Sequence, residues 1–342
     1  MNLEMYYNQL KKRLNNNPFV VLSISLVLLI ILSYTIFLAL PVNTNEIEPK
    51  MDPVEDFAEA VARIEKIKAD ESQFATENCE STLYSHGKKV EKVLVIFHGY
   101  TACPEQYREF AQAHYELGYN VLLLRMPEHG KERLGKSLRF LESSDLVNSI
   151  NDSIDIANGL GESIEVNGIS GGAVMAGWAF QFREDVDQAT LIAPIYSFKI
   201  LPDFLLKPAV KTAALLPSDI FIWWDARNGA DSPNIAQESY PHFSLKSLRA
   251  YMSLYYNMLQ EDTPIKGTKD RKIILISNEV DTSIKPKVTR EIFNQINNRN
   301  DFNSETYIFS GELDLPHNLI GPDHPKQNIK LTIPKIIEIT TD

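Results

Sequence analysis

From position 19 the chain is apolar without a break. Residues 19–40 (FVVLSISLVLLIILSYTIFLAL) hold no charge over 22 positions and lie between Pro18 and Pro41. At about 1.5 Å per residue such a helix spans roughly 33 Å, close to a hydrocarbon core of about 30 Å, so the pattern predicts a transmembrane helix. It is apolar on every face, unlike a half-buried core helix. It is also longer than the about 7–15 apolar residues of a cleaved signal peptide, and it ends Leu38, Ala39, Leu40, Pro41 without a small-x-small site.

Beyond a polar link (41–51), Phe57, Val61, Ile64 and Ile67 recur at helical spacing, predicting an amphipathic helix over about 52–70. Short apolar runs then alternate with helical segments: 93–97 (VLVIF), 121–124 (VLLL), 164–167, 190–193, 273–277 (IILIS) and 305–309 (ETYIF). Such runs suit parallel strands covered on both faces. Between them, 104–117 and 143–160 read as helices, the latter with Leu146, Ile150, Ile154 and Ala157 on one face. The expected class is α/β, a mostly parallel sheet with helices on both sides. Residues 196–260 break the alternation, contain no convincing strand and read as a helical insertion above the strands' carboxyl ends. The expected organisation is a tail (1–17), the membrane helix (18–41), a tether with its amphipathic helix (42–77) and a main domain (78–342) with its cap at about 196–260.

The chain's 342 residues, 44% hydrophobic, suffice for one large domain. A net charge of -11 with scattered basic residues excludes a nucleic-acid partner. Lys11, Lys12 and Arg13 precede the apolar span, and acidic residues beginning with Glu46 and Glu48 follow it, so the positive-inside rule leaves the N-terminus cytoplasmic and the main domain outside. Two cysteines, Cys79 and Cys103, flank the first strong strand. A disulfide between them and a pair of free thiols are both open readings, and neither cysteine has zinc-site or dithiol-redox spacing.

The chemistry-bearing motif is Gly168-Ile169-Ser170-Gly171-Gly172, after one strand and before a helix. A strand-to-helix turn of this kind needs side chains absent at Gly168 and Gly172 so that the backbone can pass, and it lifts the serine oxygen above the sheet. His98-Gly99-Tyr100 follows the first strong strand. Its turn presents a backbone N–H, and the N–H groups of Tyr100 and Gly171 are the candidate donors for an oxyanion. His98, inside the turn, is expected to shape it.

Together with Pro127-Glu128-His129-Gly130 and the helical insertion, these residues resemble the α/β-hydrolase family, with carboxylesterases and monoacylglycerol lipases nearest in pattern. The resemblance covers roughly residue 79 to the C-terminus and implies the chain order serine, acid, histidine. It directs the acid to the loop after IILIS, where Asp281 fits better than Glu279, and the base to the loop after ETYIF, where His317 is preferred over His324, a residue set among prolines and an aspartate. The family often has glycine where Glu128 stands, and His129 is expected to be structural, while His86, His114 and His242 read as surface or packing residues. Phe221, Trp223, Trp224, Tyr251, Tyr255 and Tyr256 either line an acyl pocket or form the cap's own core.

The resulting expectation is a membrane-anchored serine hydrolase for small-molecule or lipid esters with a hydrophobic acyl part, needing no metal or organic cofactor. Thioester or amide cleavage uses the same machinery, and a catalytically silent binding protein keeps the same fold. The span carries no GxxxG, which speaks against a helix-driven assembly, and the oligomeric state stays open.

Overall fold

The computed structural model describes residues 18–44, 47–76, 79–132, 135–213, 215, 219–225, 227–229, 239–265, 270–324 and 326–341. The basic cluster Lys11, Lys12, Arg13, and Glu46 after the span, lie outside them. The chain divides into residues 1–42 and a body of residues 43–342. The first unit holds α1 (Pro18–Ala39), 22 residues long, none of them buried. It is long and apolar enough to cross a membrane.

The body begins with α2 (Phe57–Glu71), whose N-cap Asp56 accepts a hydrogen bond from Glu59 N at 2.8 Å. Its buried residues Ala60 and Ile64 face the body. There follow β1 (Thr82–Tyr84), β2 (Val90–Phe97), α3 (Arg108–Glu116), β3 (Asn120–Leu123), α4 (Ser143–Leu160), β4 (Gly161–Ile169), α5 (Gly171–Phe182) and β5 (Gln188–Ile192). After these come α6 (Asp203–Ala213), β6 (Phe221–Trp223), β7 (His242–Ser244), α7 (Leu245–Gln260), β8 (Lys272–Asn278), α8 (Pro286–Asn300), β9 (Asn303–Phe309) and α9 (Ile329–Thr341).

Seven strands form one sheet in the order β1-β3-β2-β4-β5-β8-β9 among the described residues, parallel except for β1. Each apolar run named in the sequence overlaps one of these strands, 121–124 and 190–193 running one residue past the ends of β3 and β5. Edge strand β1 was not foreseen, because Thr-Leu-Tyr is too short for a periodic signal. In β2, Val93–Phe97 are all buried, as a strand covered on both faces requires. Every residue of α5 is buried, and Leu146, Ile150, Ile154 and Ala157 line the inner face of α4.

The stretch expected to be helical throughout contains an antiparallel pair, β6 with β7. Phe221, Ile222 and Trp223 are aromatic or β-branched and lack helical spacing, which favours extended backbone once a partner strand is present. The last helix of that stretch, α7, lies against α4, α5 and α6, so it belongs in part to the helical layer over the sheet. Cys79 and Cys103 form a disulfide with Cα atoms 4.9 Å apart.

One buried titratable group makes stability depend on pH. His114, on the inner face of α3, donates from Nδ1 to Phe110 O at 2.9 Å, and burial pushes its pKa down to about 4. Folded His114 therefore stays neutral where an unfolded histidine, with a pKa of about 6.5, already takes up a proton. Its contribution is fully present above about pH 6.5 and is lost as pH falls towards 4, up to about 3 kcal/mol. His114→Asn is expected to flatten the acid limb of a plot of Tm against pH. An unchanged limb would show that other groups control acid unfolding.

Candidate active site

Parallel register brings the carboxyl ends of β2, β4, β5, β8 and β9 to one edge of the sheet, with Phe97 level with Gly168, Ile169 with Ile192 and Asn278 with Phe309. The strand sequence reverses direction around β2 and β4, the place where open α/β sheets form a crevice. Ser170 stands there between β4 and α5, half-buried.

Its backbone has φ 56° and ψ −113°, a left-handed φ that costs a non-glycine residue on the order of 1–3 kcal/mol. The flanking glycines make the turn possible. A Cβ at Gly168 would sit 2.1 Å from Gly172 O, and one at Gly172 would sit 2.0 Å from Phe97 O. Ser170 N donates to Ile192 O at 2.8 Å, pinning the elbow to β5.

The two candidate oxyanion donors adjoin. A Cβ built on Gly171 would lie 2.8 Å from Tyr100 Cβ and 3.2 Å from Tyr100 Cα. Among the described residues, no turn, loop or side-chain hydrogen bond consumes the N–H of either. His98 sets the direction of one of them. Its Nδ1–H donates to Gly99 O at 3.0 Å, and its Nε2 accepts from Met126 N at 3.2 Å. Gly99 C=O and Tyr100 N–H share one peptide plane and point opposite ways, so holding the carbonyl aims the N–H. Burial, then the neighbouring His129, holds the His98 pKa well below its ordinary value, and the ring stays neutral.

At the same edge of the sheet, in the loops after β8 and β9, His317 Nδ1 donates to Asp281 Oδ2 at 2.8 Å. Asp281 is buried, and its other oxygen accepts from Ser283 N at 2.7 Å and Ile284 N at 2.9 Å. Burial alone would raise the Asp281 pKa. The adjacent His317 and these hydrogen bonds outweigh it and hold the carboxyl below its usual range. Lys199 Nζ donates to Asp281 O at 2.9 Å, fixing the loop from the insertion side. With Nδ1 occupied, Nε2 is the free basic nitrogen of His317. It is buried and has no hydrogen-bond partner among the described residues, and Ser170 Oγ likewise makes no hydrogen bond there.

The structure thus brings Asp281 and His317 together, and Tyr100 beside Gly171, while the serine-to-histidine hydrogen bond is not formed in this conformation. Glu279 is occupied elsewhere, accepting from Gly311 N at 2.7 Å. His324 Nδ1 accepts from Lys326 N at 3.1 Å, and burial, then His317 and Lys326, lowers its pKa.

No family model and no curated protein matches the chain by sequence. Solved structures do match. A metagenome-derived lipolytic enzyme superposes with a TM-score of 0.57 at 16% identity, covering 78% of this chain and 99% of its own. A monoacylglycerol lipase from Paleococcus ferrophilus gives 0.55 at 14% identity, covering 76% and 97%. A soluble variant of the Saccharomyces cerevisiae monoglyceride lipase, bound to a substrate analogue, gives 0.54 at 12% identity, covering 76% and 89%. This chain has the α/β-hydrolase fold.

In this α/β-hydrolase fold the insertion reaches the candidate site through residues with no motif in the sequence. Tyr251, on α7, is fully buried with its ring 4.9 Å from that of Tyr100, and Tyr255 stacks on Tyr196 at 5.3 Å. These two are packing residues, whereas Trp223 and Trp224 are 40% and 41% exposed. The Tyr100 hydroxyl donates to Ser244 O at 2.6 Å, Trp224 Nε1 to Thr101 Oγ1 at 2.9 Å, and Tyr240 N to Thr101 O at 2.6 Å. These partners lie more than 100 positions from the loop they hold, so no local pattern could reveal them.

Proposed function

We propose that the protein is a membrane-anchored serine hydrolase that cleaves carboxylic esters with a hydrophobic acyl group. The observation that carries the reading is His317, with Nδ1 on buried Asp281 and Nε2 left without a partner among the described residues, in a loop at the same carboxyl edge of the sheet as the serine turn. The acid fixes the tautomer that leaves Nε2 basic and stabilises the imidazolium. Ser170 Oγ attacks the carbonyl carbon and gives its proton to His317 Nε2. The oxyanion is held by the N–H groups of Tyr100 and Gly171 at the amino end of α5, whose dipole favours negative charge. His317 then protonates the departing alcohol, and water, deprotonated by the same nitrogen, frees the acid from the acyl-serine.

The lipolytic and monoacylglycerol lipase names among the solved structures favour an ester, and α1 would keep the enzyme at its lipid source. A disulfide fits an oxidising compartment, in keeping with the outside orientation derived from Lys11, Lys12 and Arg13. The test is fluorophosphonate labelling of the detergent-solubilised full chain together with turnover of p-nitrophenyl esters of increasing chain length. Stoichiometric labelling with a preference for longer acyl groups is expected. A folded protein that neither labels nor turns over any ester would sink the proposal and leave a binding role for the crevice.

A further inference from the structure

Resting on that reading, we infer that Tyr240, contributed by the insertion just before β7, is a positioning residue for the oxyanion donor Tyr100. The loop bearing that donor is held by two successive carbonyls. Tyr100 O lies 2.6 Å from His129 Nε2, and Tyr100 is followed by Thr101, whose carbonyl accepts from Tyr240 N at 2.6 Å. Tyr240 also acts on the first of these supports. Its hydroxyl accepts the N–H of Gly130, the residue after His129. One residue therefore spans the two loops, its main-chain N–H on Thr101 O and its hydroxyl on Gly130 N–H, and their spacing decides where the Tyr100 N–H points.

The surroundings leave Tyr240 little freedom. It is 4% exposed, its ring lies 6.0 Å from that of His129, and its hydroxyl is 4.0 Å from Cys79 Sγ and 3.9 Å from Cys103 Sγ. Gly130 has φ 68°, and a Cβ there would meet Cys79 Cβ at 2.9 Å, so the disulfide packs directly on the residue that Tyr240 holds. Arg125 Nη1 donates to His129 O at 2.5 Å from the far side of the same turn. Trp224 adds a second strut through Thr101 Oγ1. The insertion thus acts on chemistry through these bonds: if it shifts, the oxyanion donor shifts with it. Losing an oxyanion donor costs about 10²–10³ in kcat, and losing its alignment should cost part of that.

The test uses the full-length detergent-solubilised protein and Tyr240→Phe, which removes one oxygen and keeps the ring. The kcat is expected to fall about 10–100-fold with KM within about threefold, and the Ki of phenylboronic acid, whose adduct on Ser170 places an oxygen in the oxyanion site, should rise in proportion. A purely packing role would lower Tm and leave kcat and Ki unchanged, and that result in a folded variant overturns the inference. Should Tyr240→Phe fail to fold, Trp224→Phe at a 41% exposed position takes its place. It is expected to lower kcat about three- to tenfold at constant KM, and an unchanged kcat there overturns the inference equally. Wild type and Ser170→Ala run alongside. A folded wild type that turns over no ester removes the hydrolase reading, and activity that survives in Ser170→Ala removes Ser170 as its nucleophile; both outcomes are distinct from an active wild type with an indifferent Tyr240→Phe.

Discussion

Ser170→Ala is expected to reduce ester turnover by on the order of 10⁵-fold or more and to abolish fluorophosphonate labelling, with Tm within a few degrees of wild type. The serine oxygen makes no structural hydrogen bond among the described residues, and alanine removes only that atom from a backbone already shaped by Gly168 and Gly172. His317→Ala should fall by a similar factor, and the double variant hardly further, because nucleophile and base act as one unit. His324→Ala should stay within a few-fold of wild type, since no carboxylate among the described residues orients that ring and its Nδ1 already accepts from Lys326 N. A full loss in His324→Ala with activity retained in His317→Ala would reverse the assignment of the base.

Gly172→Ala is the substitution expected to do most damage to the fold. The added methyl would stand 2.0 Å from Phe97 O and 2.5 Å from His98 O. Both are main-chain atoms at the end of a central strand, so nothing nearby can swing aside. A loss of more than about 4 kcal/mol, or no soluble folded domain at all, is expected from the urea midpoint or the yield. Gly118 makes the comparison informative. Its φ of 95° is left-handed, unlike that of Gly172, but a Cβ there meets nothing within 4 Å, so Gly118→Ala should cost only the backbone term of about 1–2 kcal/mol. Damage at Gly172 no larger than at Gly118 would mean that the close approach at the elbow relaxes at no more cost than a left-handed backbone.

The local features of this protein were legible in its residues. A run of 22 uncharged positions becomes an exposed helix, and six short apolar runs each overlap a strand, because strand and helix periodicity depend on neighbours only a few positions away. The serine turn was equally readable. The steric demand at Gly168 and Gly172 arises within five residues, and the coordinates put backbone oxygens where that demand places them. The preference for Asp281 and His317 came from a family resemblance, and the loops after β8 and β9 lie beside one another because the two strands are parallel partners.

What only the tertiary structure decided is long-range. Edge strand β1, the pairing of β6 with β7 and the placement of α7 against α4 and α5 depend on partners distant in the chain, and burial there outweighs local propensity. So too with the disulfide, left open by spacing alone, and with Tyr240 and Trp224, which reach the Tyr100–Thr101 loop across more than 100 residues. A short-range pattern records what the backbone must do next. Which distant side chain meets a loop depends on how the whole sheet and its insertion pack, and no period in the sequence encodes that.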